Sequence, residues 1–410
     1  MKILWVKVGG LVPLDTGGKI RSYHILRELS RRHDVTFFTC YAEHRDDIHA
    51  ELDRVFARVI RYPLRVPRSR SFGHLTHYAR GFFSGQPDQL VRHHSSHAAL
   101  GLRHLLEKEK FDVIVCDFLA AAGMIPWQFP IPKVLFTHNV ETLIWKRQCA
   151  VARNPLWKAI CWREYSTTAL AERRYLNLAD HVLTVSDTDR DLFARTIEPA
   201  KITVIPTGVD LDFFQPAAGK EQPNTLVFTG SMDYMPNEDG ICYFVEQILP
   251  RVRFHIPNVA LLVVGRRPSA RLLKLATMTP GVEVTGAVED IRPYVQRGSV
   301  YVVPLRVGSG TRLKIFEAMA MGKAVISTSV GAEGLPVRSE QDILIADTPE
   351  AFANAVVRLL ADRSLRDELG RAARDLVVQK HSWASVAQHF ELTLETLVSA
   401  DSMLVESFRS

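Results

Sequence analysis

Two apolar runs, separated by a loop and a helix-like segment, occupy residues 299–328. The runs SVYVVP (299–304) and AVIST (324–328) have the length and β-branched content of buried strands. The segment 312–321 between them predicts a helix, and Gly322 is expected to end it as the C′ residue. Parallel strands need a helical crossover of this kind. The unit therefore predicts a parallel α/β sheet, with ligands at the carboxyl ends of its strands.

The start of this predicted helix carries an unusual charge pattern. If Thr311 is the N-cap, Arg312 and Lys314 lie in the first turn, where the helix dipole disfavours cations. An anion such as a phosphate on the glycine-bearing loop 308–310 would offset that cost. Glu317, the only acid in this segment, could accept hydrogen bonds from sugar hydroxyls. The alternative is that both cations reach solvent and that Glu317 pairs with one of them.

Apolar runs alternate with helix-like segments along most of the chain. A first set begins with the predicted strand at residues 2–8 and extends to residue 205. Residues 215–224 have the polar composition of a linker, and the alternation restarts after them. Two such sets predict an α/β protein with two facing, doubly wound parallel-sheet domains. The cleft between them is the default ligand site.

The net charge of +6 is concentrated in the first half of the chain. Residues 1–200 carry 29 Lys and Arg against 21 Asp and Glu, whereas residues 201–410 carry 22 against 24. The excess is densest around the Arg-rich region 54–80, where arginines such as Arg58 and Arg61 alternate with apolar residues. Three interpretations are open: a solvated arginine face, a contact with anionic lipid head groups, and a nucleic-acid surface.

Cysteine usage and hydropathy indicate the compartment. The five cysteines are too few and too scattered for a disulfide framework or a C-x-x-C metal site, which favours a reducing, cytoplasmic setting. The N-terminal apolar run is too short for a signal peptide, and no uncharged run reaches the ~18 residues of a membrane span. We expect a cytoplasmic protein that is at most peripheral at the inner membrane face.

The loop after the first predicted strand contains Gly17 and Gly18. They could bring the backbone close to a diphosphate or an acceptor, and a plain turn is the alternative. The stretch is not a P-loop, because Pro13 and Ile20 stand where that motif needs its first glycine and its Ser or Thr. No G-x-G-x-x-G follows the strand, which disfavours an NAD-dependent oxidoreductase.

Two D-x-D sequences, at 187–189 and 210–212, resemble divalent-metal motifs. Ser186 precedes the first and is followed by acids and then apolar residues, which predicts a helix start. Asp210 belongs to a P-x-G-V-D turn. We expect no metal at either position.

Eight short motifs occur in order along the chain: Gly17-Gly18, THNVE (137–141), VLTVSD (182–187), VIPTGVD (204–210), LVFTGSM (226–232), VVGRRP (263–268), VTGAVEDI (284–291) and FEAMAMGKAVIST (316–328). Together they resemble the retaining glycosyltransferases of the GT-B fold, family 4-like or group 1. The variant with HNVE, MDYxPN and GSGTRLK is most similar to sugar transferases associated with bacterial exopolysaccharide loci. The resemblance implies two Rossmann-like domains, 1–205 on the acceptor side and 206–380 on the donor side, and a C-terminal helix, 381–410, that crosses back to the first.

The resemblance implies sugar transfer from a nucleotide-diphosphate sugar to a glycan or lipid-linked acceptor in cell-surface polysaccharide synthesis. It implies retention at the anomeric carbon, with no cofactor and no metal. Glu317 would hold the donor ribose. His138 would approach the donor sugar, unless it is a core or capping histidine. Glu141 is either a sugar contact or a helix cap.

Two positions depart from the family pattern. Ser309 stands where the family usually has Glu, and the loop 230–237 lacks the usual Arg and Lys. We expect Arg312 and Lys314 to replace that pair as diphosphate clamp and leaving-group stabilisers. With His138 and Glu317 they complete the expected catalytic set. The donor-binding residues expected beside them are Gly17, Gly18, Gly230, Arg266, Val288, Gly308, Ser309, Gly310 and Thr311.

Two other functions are open from the sequence. A sugar-nucleotide 2-epimerase of the same fold would need more acid and base carboxylates in the cleft than the motifs supply. A non-catalytic nucleotide or nucleic-acid binding protein is favoured only by the pI near 9.0. We expect no nucleic-acid partner.

Overall fold

The computed structural model describes residues 1–14, 16–41, 46–64, 81–82, 85–152, 154–216, 221–307 and 312–407. The chain divides into two compact units. The N-terminal unit comprises Met1–Pro206 and Val386–Ser410, and the C-terminal unit comprises Thr207–Ser385. Residues 65–80 of the Arg-rich region lie outside the described residues. So do four residues of the expected donor loop: Gly308, Ser309, Gly310 and Thr311.

In the described part of the N-terminal unit, seven parallel strands form one sheet in the order β3-β2-β1-β4-β5-β6-β7. The strands are β1 (Lys2–Val8), β2 (Asp34–Tyr41), β3 (Arg58–Pro63), β4 (Val113–Asp117), β5 (Lys133–Phe136), β6 (His181–Thr184) and β7 (Ile202–Val204). The helices are α1 (Gly17–Leu29), α2 (Asp46–Val55), α3 (Asp88–Arg92), α4 (Ser96–Lys108), α5 (Glu141–Val151), α6 (Pro155–Leu178) and α7 (Asp187–Phe193).

The strand order reverses between β1 and β4, so the carboxyl ends of these two strands form the switch point of the sheet. Both strands are almost wholly buried, as expected of a parallel sheet covered on both faces. Their register pairs Lys7 with Asp117 at this end. Two ionisable residues are thus brought together inside an apolar core.

The described part of the C-terminal unit contains a six-stranded parallel sheet in the order β10-β9-β8-β11-β12-β13. Its strands are β8 (Thr225–Thr229), β9 (Ala260–Val264), β10 (Val282–Gly286), β11 (Val300–Val303), β12 (Val325–Ser327) and β13 (Leu344–Ile345). Its helices are α8 (Met235–Tyr243), α9 (Leu249–His255), α10 (Ala270–Met278), α11 (Arg292–Arg297), α12 (Leu313–Ala320), α13 (Pro349–Ala361) and α14 (Arg363–Lys380). Here the switch point lies between β8 and β11.

Helix ends confirm some sequence expectations and correct others. Ser186 is the N-cap of α7, where its hydroxyl accepts a hydrogen bond from the Asp189 backbone N–H. Gly322 follows α12 with a φ of +70°, the left-handed conformation expected of a C′ glycine. The expectation that Thr311 is the N-cap of α12 was wrong, because α12 begins at Leu313 and Arg312 is its N-cap residue. Lys314 alone of the two cations lies inside the first turn.

Gly17 and Gly18 also differ from the loop positions that the sequence suggested. They form the first turn of α1, whose N-cap is Thr16. A side chain on Gly18 would collide with the ring of Phe118, so a glycine is needed there for the helix to approach the end of β4. The carbonyl of Gly18 accepts a hydrogen bond from the Ser22 hydroxyl at 2.9 Å.

The last helix, α15 (Trp383–Ser407), begins in the C-terminal unit and continues into the N-terminal unit. In the N-terminal unit, the ring of Phe390 lies 5.3 Å from the rings of both Trp5 and Phe136. The Glu391 carboxylate on the same helix binds Arg32 and His33, each at 2.7 Å. Two aromatic contacts and two ionic contacts thus attach the helix to the N-terminal unit.

The described part of the Arg-rich region contains an edge strand, β3, that sequence reasoning missed. Arg58 on this strand forms a two-pronged ion pair with Glu109, and Arg61 pairs with Asp53. These arginines are therefore neutralised within the unit. No helix among the described residues is long and apolar enough to cross a bilayer.

We predict that Phe390→Ala lowers the free energy of unfolding of the N-terminal unit by about 3–5 kcal/mol, because it empties the site between Trp5 and Phe136. The matched control is Leu392→Ala on the same helix, where the side chain is 54% exposed and little should be lost. Urea unfolding followed by tryptophan fluorescence measures both. Equal losses in the two variants would contradict this account of how α15 is attached.

Candidate functional site

Three segments of the C-terminal unit meet at the carboxyl ends of β8, β9 and β11. The loop after β8 and the loop after β9 touch directly, since a Cβ on Gly265 would overlap the carbonyl oxygen of Gly230. A Cβ on Gly230 would lie 2.6 Å from Lys314 Nζ. Glycine at both positions lets the loops and the start of α12 pack closely around one point.

A chain of hydrogen bonds joins these segments. Arg266 Nε donates to Ser231 Oγ at 2.9 Å, and Asn237 Nδ2 donates to the Ser231 carbonyl at 2.8 Å. Lys314 Nζ donates to Asn237 Oδ1 at 2.8 Å. We call Ser231, Asn237, Arg266, Lys314 and Glu317 the C-terminal cluster. Because its members come from the loops after β8 and β9 and from helices α8 and α12, the cluster forms only when these elements are packed together.

Lys314 and Glu317 are one turn apart on α12 and influence each other's protonation. Burial lowers the pKa of Lys314 to about 7, with Arg312 lowering it further and Glu317 opposing. Burial also raises the pKa of Glu317 to about 7, against the attraction of Lys314. The Lys314 ammonium lies 4.1 Å from the centre of the Phe228 ring. An added anion would favour the charged form of Lys314.

The structure brings together several of the expected site residues. Gly230, Arg266, Lys314 and Glu317 gather at the C-terminal cluster, and Arg312 lies at the start of α12 with its side chain 7% exposed. Val288 is a half-buried residue that packs on the core beyond β10. His138, Gly17 and Gly18 belong to the other unit.

Sequence reasoning missed Asn237 and Ser231 as site residues. Asn237 is 6% exposed although it lies in the first turn of α8, and both ends of its amide are used. The signal was the tetrapeptide Tyr-Met-Pro-Asn, separated by four residues from a buried strand, where a proline starts a helix at the sheet's carboxyl end. A polar residue in that turn faces the switch point.

A second group of polar residues lies at the switch point of the N-terminal unit. Asp117 is fully buried at the end of β4 and accepts from Lys7 Nζ at 3.1 Å and from Trp5 Nε1 at 2.9 Å. His138 Nε2 lies 2.8 Å from the other carboxylate oxygen. We call Lys7, Arg21, Asp117, Phe118 and His138 the N-terminal cluster.

The protonation states in the N-terminal cluster follow from its charges. Burial alone would raise the pKa of Asp117, but Lys7 and His138 outweigh it and hold that pKa below its ordinary value. Burial lowers the pKa of Lys7 and that of Arg21, to about 10 for Arg21, against the attraction of nearby acids. The carboxylate is therefore ionised and is surrounded by donors.

His138 has one tautomer in this arrangement. Arg21 Nη1 lies 2.8 Å from His138 Nδ1, and a guanidinium can only donate, so Nδ1 is the acceptor. Nε2 therefore carries the proton and donates to Asp117. Burial lowers the pKa of His138 to about 3, with Asp117 opposing and the neighbouring cations adding to it. The imidazole is neutral at physiological pH.

Phe118 holds the ring of His138 in place. The two rings stack with centroids 3.9 Å apart and planes 7° from parallel. Phe118 has a φ of +72°, which is strained for a residue with a side chain and turns the chain sharply after β4. Sequence reasoning found His138 but missed Lys7, Arg21, Asp117 and Phe118. The available signal was a lysine inside an apolar strand and an aspartate at the end of another.

Glu141 follows the same loop and begins α5. Its backbone N–H donates to Glu172 Oε1 at 2.6 Å, so the cap of α5 is Glu172 rather than Glu141 itself. Burial and the nearby Glu172 raise the pKa of Glu141 to about 7. A cavity of about 10 Å³, room for one water, lies between these carboxyls and His138.

The two D-x-D sequences have local structural roles. Asp187 and Asp189 lie in the first turn of α7. Asp210 Oδ1 accepts from the backbone N–H groups of Asp212 and Phe213 and closes a turn. Among the described residues, one group has side-chain spacing that could hold a metal. It consists of His33 and of Glu391 and Glu395 in the middle of α15.

Two family models match the chain. Residues 16–213 match the model described as Glycosyltransferase Family 4, and residues 223–362 match the model described as Glycosyl transferases group 1.

A phosphatidyl-myo-inositol mannosyltransferase of Mycobacterium tuberculosis is 27% identical over 48% of this chain and 54% of its own length. The chain thus spans about half the length of that relative. An uncharacterised 44.6 kDa protein in the cps region of Klebsiella pneumoniae is 23% identical over 87% of this chain and 90% of its own.

Solved structures resemble the whole chain in fold. Sucrose-phosphate synthase from Thermosynechococcus elongatus superposes with a TM-score of 0.72 at 20% identity, covering 98% of this chain and 100% of that one. HepE from Anabaena, solved in complex with UDP and glucose, superposes with a TM-score of 0.67 at 14% identity, covering 96% and 99%.

We predict that His138 makes folding stability depend on pH. Its pKa is about 3 in the folded chain, against an ordinary value of 6.5 for histidine, so the unfolded chain binds more protons between these values. Stability from the neutral imidazole is present above pH ~6.5 and is lost as the pH falls, by up to about 1.4 kcal/mol per pH unit. When the free energy of unfolding is measured by urea at several pH values and plotted against pH, the slope should be shallower by that amount in His138→Gln. The control His389→Gln, at an exposed site, should retain the wild-type slope, and an unchanged slope in His138→Gln would disprove the assignment.

Proposed function

We propose that this chain, which belongs to the group 1 glycosyl transferases with a Glycosyltransferase Family 4 domain and the GT-B fold, moves a sugar from a nucleotide-diphosphate sugar to a glycan or lipid-linked acceptor. We further propose retention at the anomeric carbon and no requirement for a metal ion. The C-terminal cluster is the donor site. The observation that supports it most is that two cations, Arg312 and Lys314, lie at the amino end of α12, at the switch point of the sheet, with no acid in the first turn of the helix.

The diphosphate group is the part of the donor that this site suits. Arg312 and Lys314 stand at the amino end of α12, where the helix itself contributes partial positive charge. The hydrogen bond from Lys314 goes to a neutral amide, so the ammonium keeps charge available for a ligand. A diphosphate would remove the repulsion between the two cations and raise the pKa of Lys314.

Glu317 is placed to hold the ribose. It lies one turn beyond Lys314 and, once ionised, can accept two hydroxyl hydrogen bonds. Ionisation of Glu317 becomes easier when Lys314 is held in its charged form by the diphosphate, because the two groups attract. Binding of the phosphates and of the ribose would therefore reinforce each other.

The chemical step suits a site made of cations. When the nucleoside diphosphate leaves, negative charge grows on its β-phosphate, and fixed cations that already point at that oxygen stabilise it. In a front-face reaction, the leaving phosphate oxygen takes the proton of the acceptor hydroxyl. The new glycosidic bond then forms on the face from which the phosphate departs. The protein has to position the reactants and stabilise charge, and does not need a strong base.

The acceptor class and the cellular setting are proposed from the names of two relatives. One relative acts on phosphatidyl-myo-inositol by its name, and another lies in a cps region, which supports a lipid-linked or polysaccharide acceptor in cell-surface polysaccharide synthesis. We place the acceptor on the N-terminal unit, with the enzyme in the cytoplasm and peripheral at the inner membrane face. His138 is 3% exposed and both its nitrogens are bonded within the unit, so its role there would be to hold the end of the sheet in shape rather than to bond the acceptor itself.

The first test is a thermal-shift screen in EDTA with UDP, GDP, ADP, NAD and their common sugar conjugates. We expect one nucleoside diphosphate to stabilise the protein saturably. Arg312→Ala and Glu317→Ala should each weaken that affinity about 10- to 100-fold, because a charge-assisted hydrogen bond is lost. Arg271→Ala, at an exposed arginine paired with Glu246, is the matched control. A shift only with NAD, or only after a metal is added, would refute the proposed chemistry.

A second prediction concerns pH. The free protein holds Lys314 with a pKa of about 7, so above pH 7 the lysine must regain a proton when the diphosphate binds. Donor affinity should fall by up to about tenfold per pH unit between pH 7 and 9. Lys314→Met should bind more weakly and without this dependence, whereas Lys274→Met, at an exposed lysine, should behave as wild type. Isothermal titration calorimetry at several pH values measures the affinity for the nucleoside diphosphate. A wild-type affinity that does not change with pH would exclude Lys314 as the diphosphate clamp.

A further inference from the structure

Helices α5 and α6 are joined by residues 152–154 and form a hairpin in the N-terminal unit. We call residues 146–152 and 154–162 its tip; apart from the buried Cys161, the side chains described there are exposed or half-buried. Residues 154–159 are exposed without interruption, which is more than one helical turn, so this end of α6 has solvent on every side. By contrast, the second half of α6 buries one side, with Tyr175 and Leu176 in the hydrophobic core.

Large apolar side chains point into solvent at this tip. Leu156 is 73% exposed, Trp157 46% and Trp162 65%. A single exposed apolar residue needs no explanation, but two tryptophans and a leucine within seven positions of one protruding element do. Tryptophan is the residue enriched where proteins meet the head-group level of a bilayer.

The charge of the same segment has one sign. Residues 142–163 include five lysines and arginines and no aspartate or glutamate. Lys146 and Lys158 are exposed, whereas Arg163 turns inward, pairing with Glu164 and donating to the Gln86 carbonyl. The exposed charge of this segment is therefore basic, and Lys158 is next in sequence to the exposed Trp157.

The exposed face continues along α6. At 100° per residue, Trp162, Leu170 and Arg173 fall within about 80° of one another, so they share one side of the helix. Leu170 is 68% exposed, and it lines an open groove of about 450 Å³ with Arg173 and Arg174. An apolar tip thus leads to a groove with two guanidinium groups, which suit a phosphate.

We propose that the α5–α6 hairpin is the surface by which this protein docks on an anionic phospholipid membrane, with Trp157 and Trp162 at the head-group level and the lysines and the arginine groove against lipid phosphates. An aliphatic side chain beside the tryptophans at a protruding tip suits the acyl boundary better than a stacked nucleic-acid base. This goes beyond the donor chemistry and does not depend on it. It also places membrane contact away from the Arg-rich region, where Arg58 and Arg61 are already paired.

The test is co-sedimentation of the full chain with two kinds of vesicle, phosphatidylcholine alone and phosphatidylcholine with about one third phosphatidylglycerol. We expect binding to the anionic vesicles only, and weaker binding as salt is raised. Trp157→Ser with Trp162→Ser should reduce partitioning about tenfold or more. Lys146→Gln with Lys158→Gln should reduce it about 30-fold, about fivefold for each lysine.

The controls are matched for exposure and residue type. Phe254→Ser with Met278→Ser removes apolar residues that are 84% and 71% exposed in the other unit, and Lys274→Gln removes an exposed lysine. Both should bind vesicles as wild type does. Every variant is also screened with the nucleoside diphosphates, so that loss of membrane binding and loss of donor binding are seen separately.

Four outcomes would overturn the inference. The wild-type protein could bind neither vesicle, or it could bind both equally. The hairpin variants could bind as wild type does while Arg54→Glu loses binding. Finally, the hairpin could mediate dimerisation or nucleic-acid binding in place of lipid binding. Selective loss in both hairpin variants, with the controls unaffected, supports it.

Discussion

The buried ion pair between Lys7 and Asp117 is the constraint around which the N-terminal unit is arranged. Parallel register places the two residues opposite each other at the end of neighbouring strands, 3.1 Å apart between Nζ and Oδ2. Removing one partner of such a pair leaves an uncompensated charge in the core, at a cost of about 3–5 kcal/mol. The remaining lone pairs of Asp117 are filled by Trp5 and His138. Strand β1 and the loop after β5 are thus both tied to one carboxylate at the end of β4.

The same carboxylate determines the state of His138. Because Asp117 accepts from Nε2 and Arg21 donates to Nδ1, protonation of the ring would turn the Arg21 contact into a repulsion between two donors. Phe118 then stacks on the ring, and Gly18 leaves the space in which Phe118 lies. The histidine is a rigid, neutral group with both nitrogens already bonded, which fits a role in holding the end of the sheet together better than proton transfer.

The C-terminal unit also contains a buried lysine, Lys314, but surrounds it with different partners. Lys314 donates to an amide oxygen and lies over an aromatic ring, and its nearest acid on the helix, Glu317, itself has a raised pKa. Neither contact neutralises the ammonium as Asp117 neutralises that of Lys7. The positive charge that remains is what makes this switch point, and not the other, suited to a phosphate group.

The sequence predicted most elements of the fold because apolar runs and caps are local signals. Strands β1 and β12 lie where the apolar runs at 2–8 and 324–328 placed them, and Ser186 caps its helix as expected. The partners within each site could not be predicted in the same way. Asn237 and Lys314 are 77 positions apart, and Trp5 and Asp117 are 112 apart, so only the register of the sheets brings them together. Residue type indicated candidates such as Glu317, but not what each one touches.

Charge density along the sequence did not reveal, for a related reason, that two arginines in the described part of the Arg-rich region are paired. The arginines of β3 stand out in the sequence, yet Arg58 and Arg61 meet Glu109 and Asp53 in the fold, and Glu109 is 51 positions away. The segment 142–163 is less conspicuous, contains no acid and is flanked by Glu141 and Glu164, of which Glu164 is paired with Arg163. A basic residue contributes to an interaction surface only when the fold leaves its charge exposed and unmatched. That condition depends on which acids the sheet register and helix packing bring close, and it singles out the hairpin rather than the arginine-rich strand.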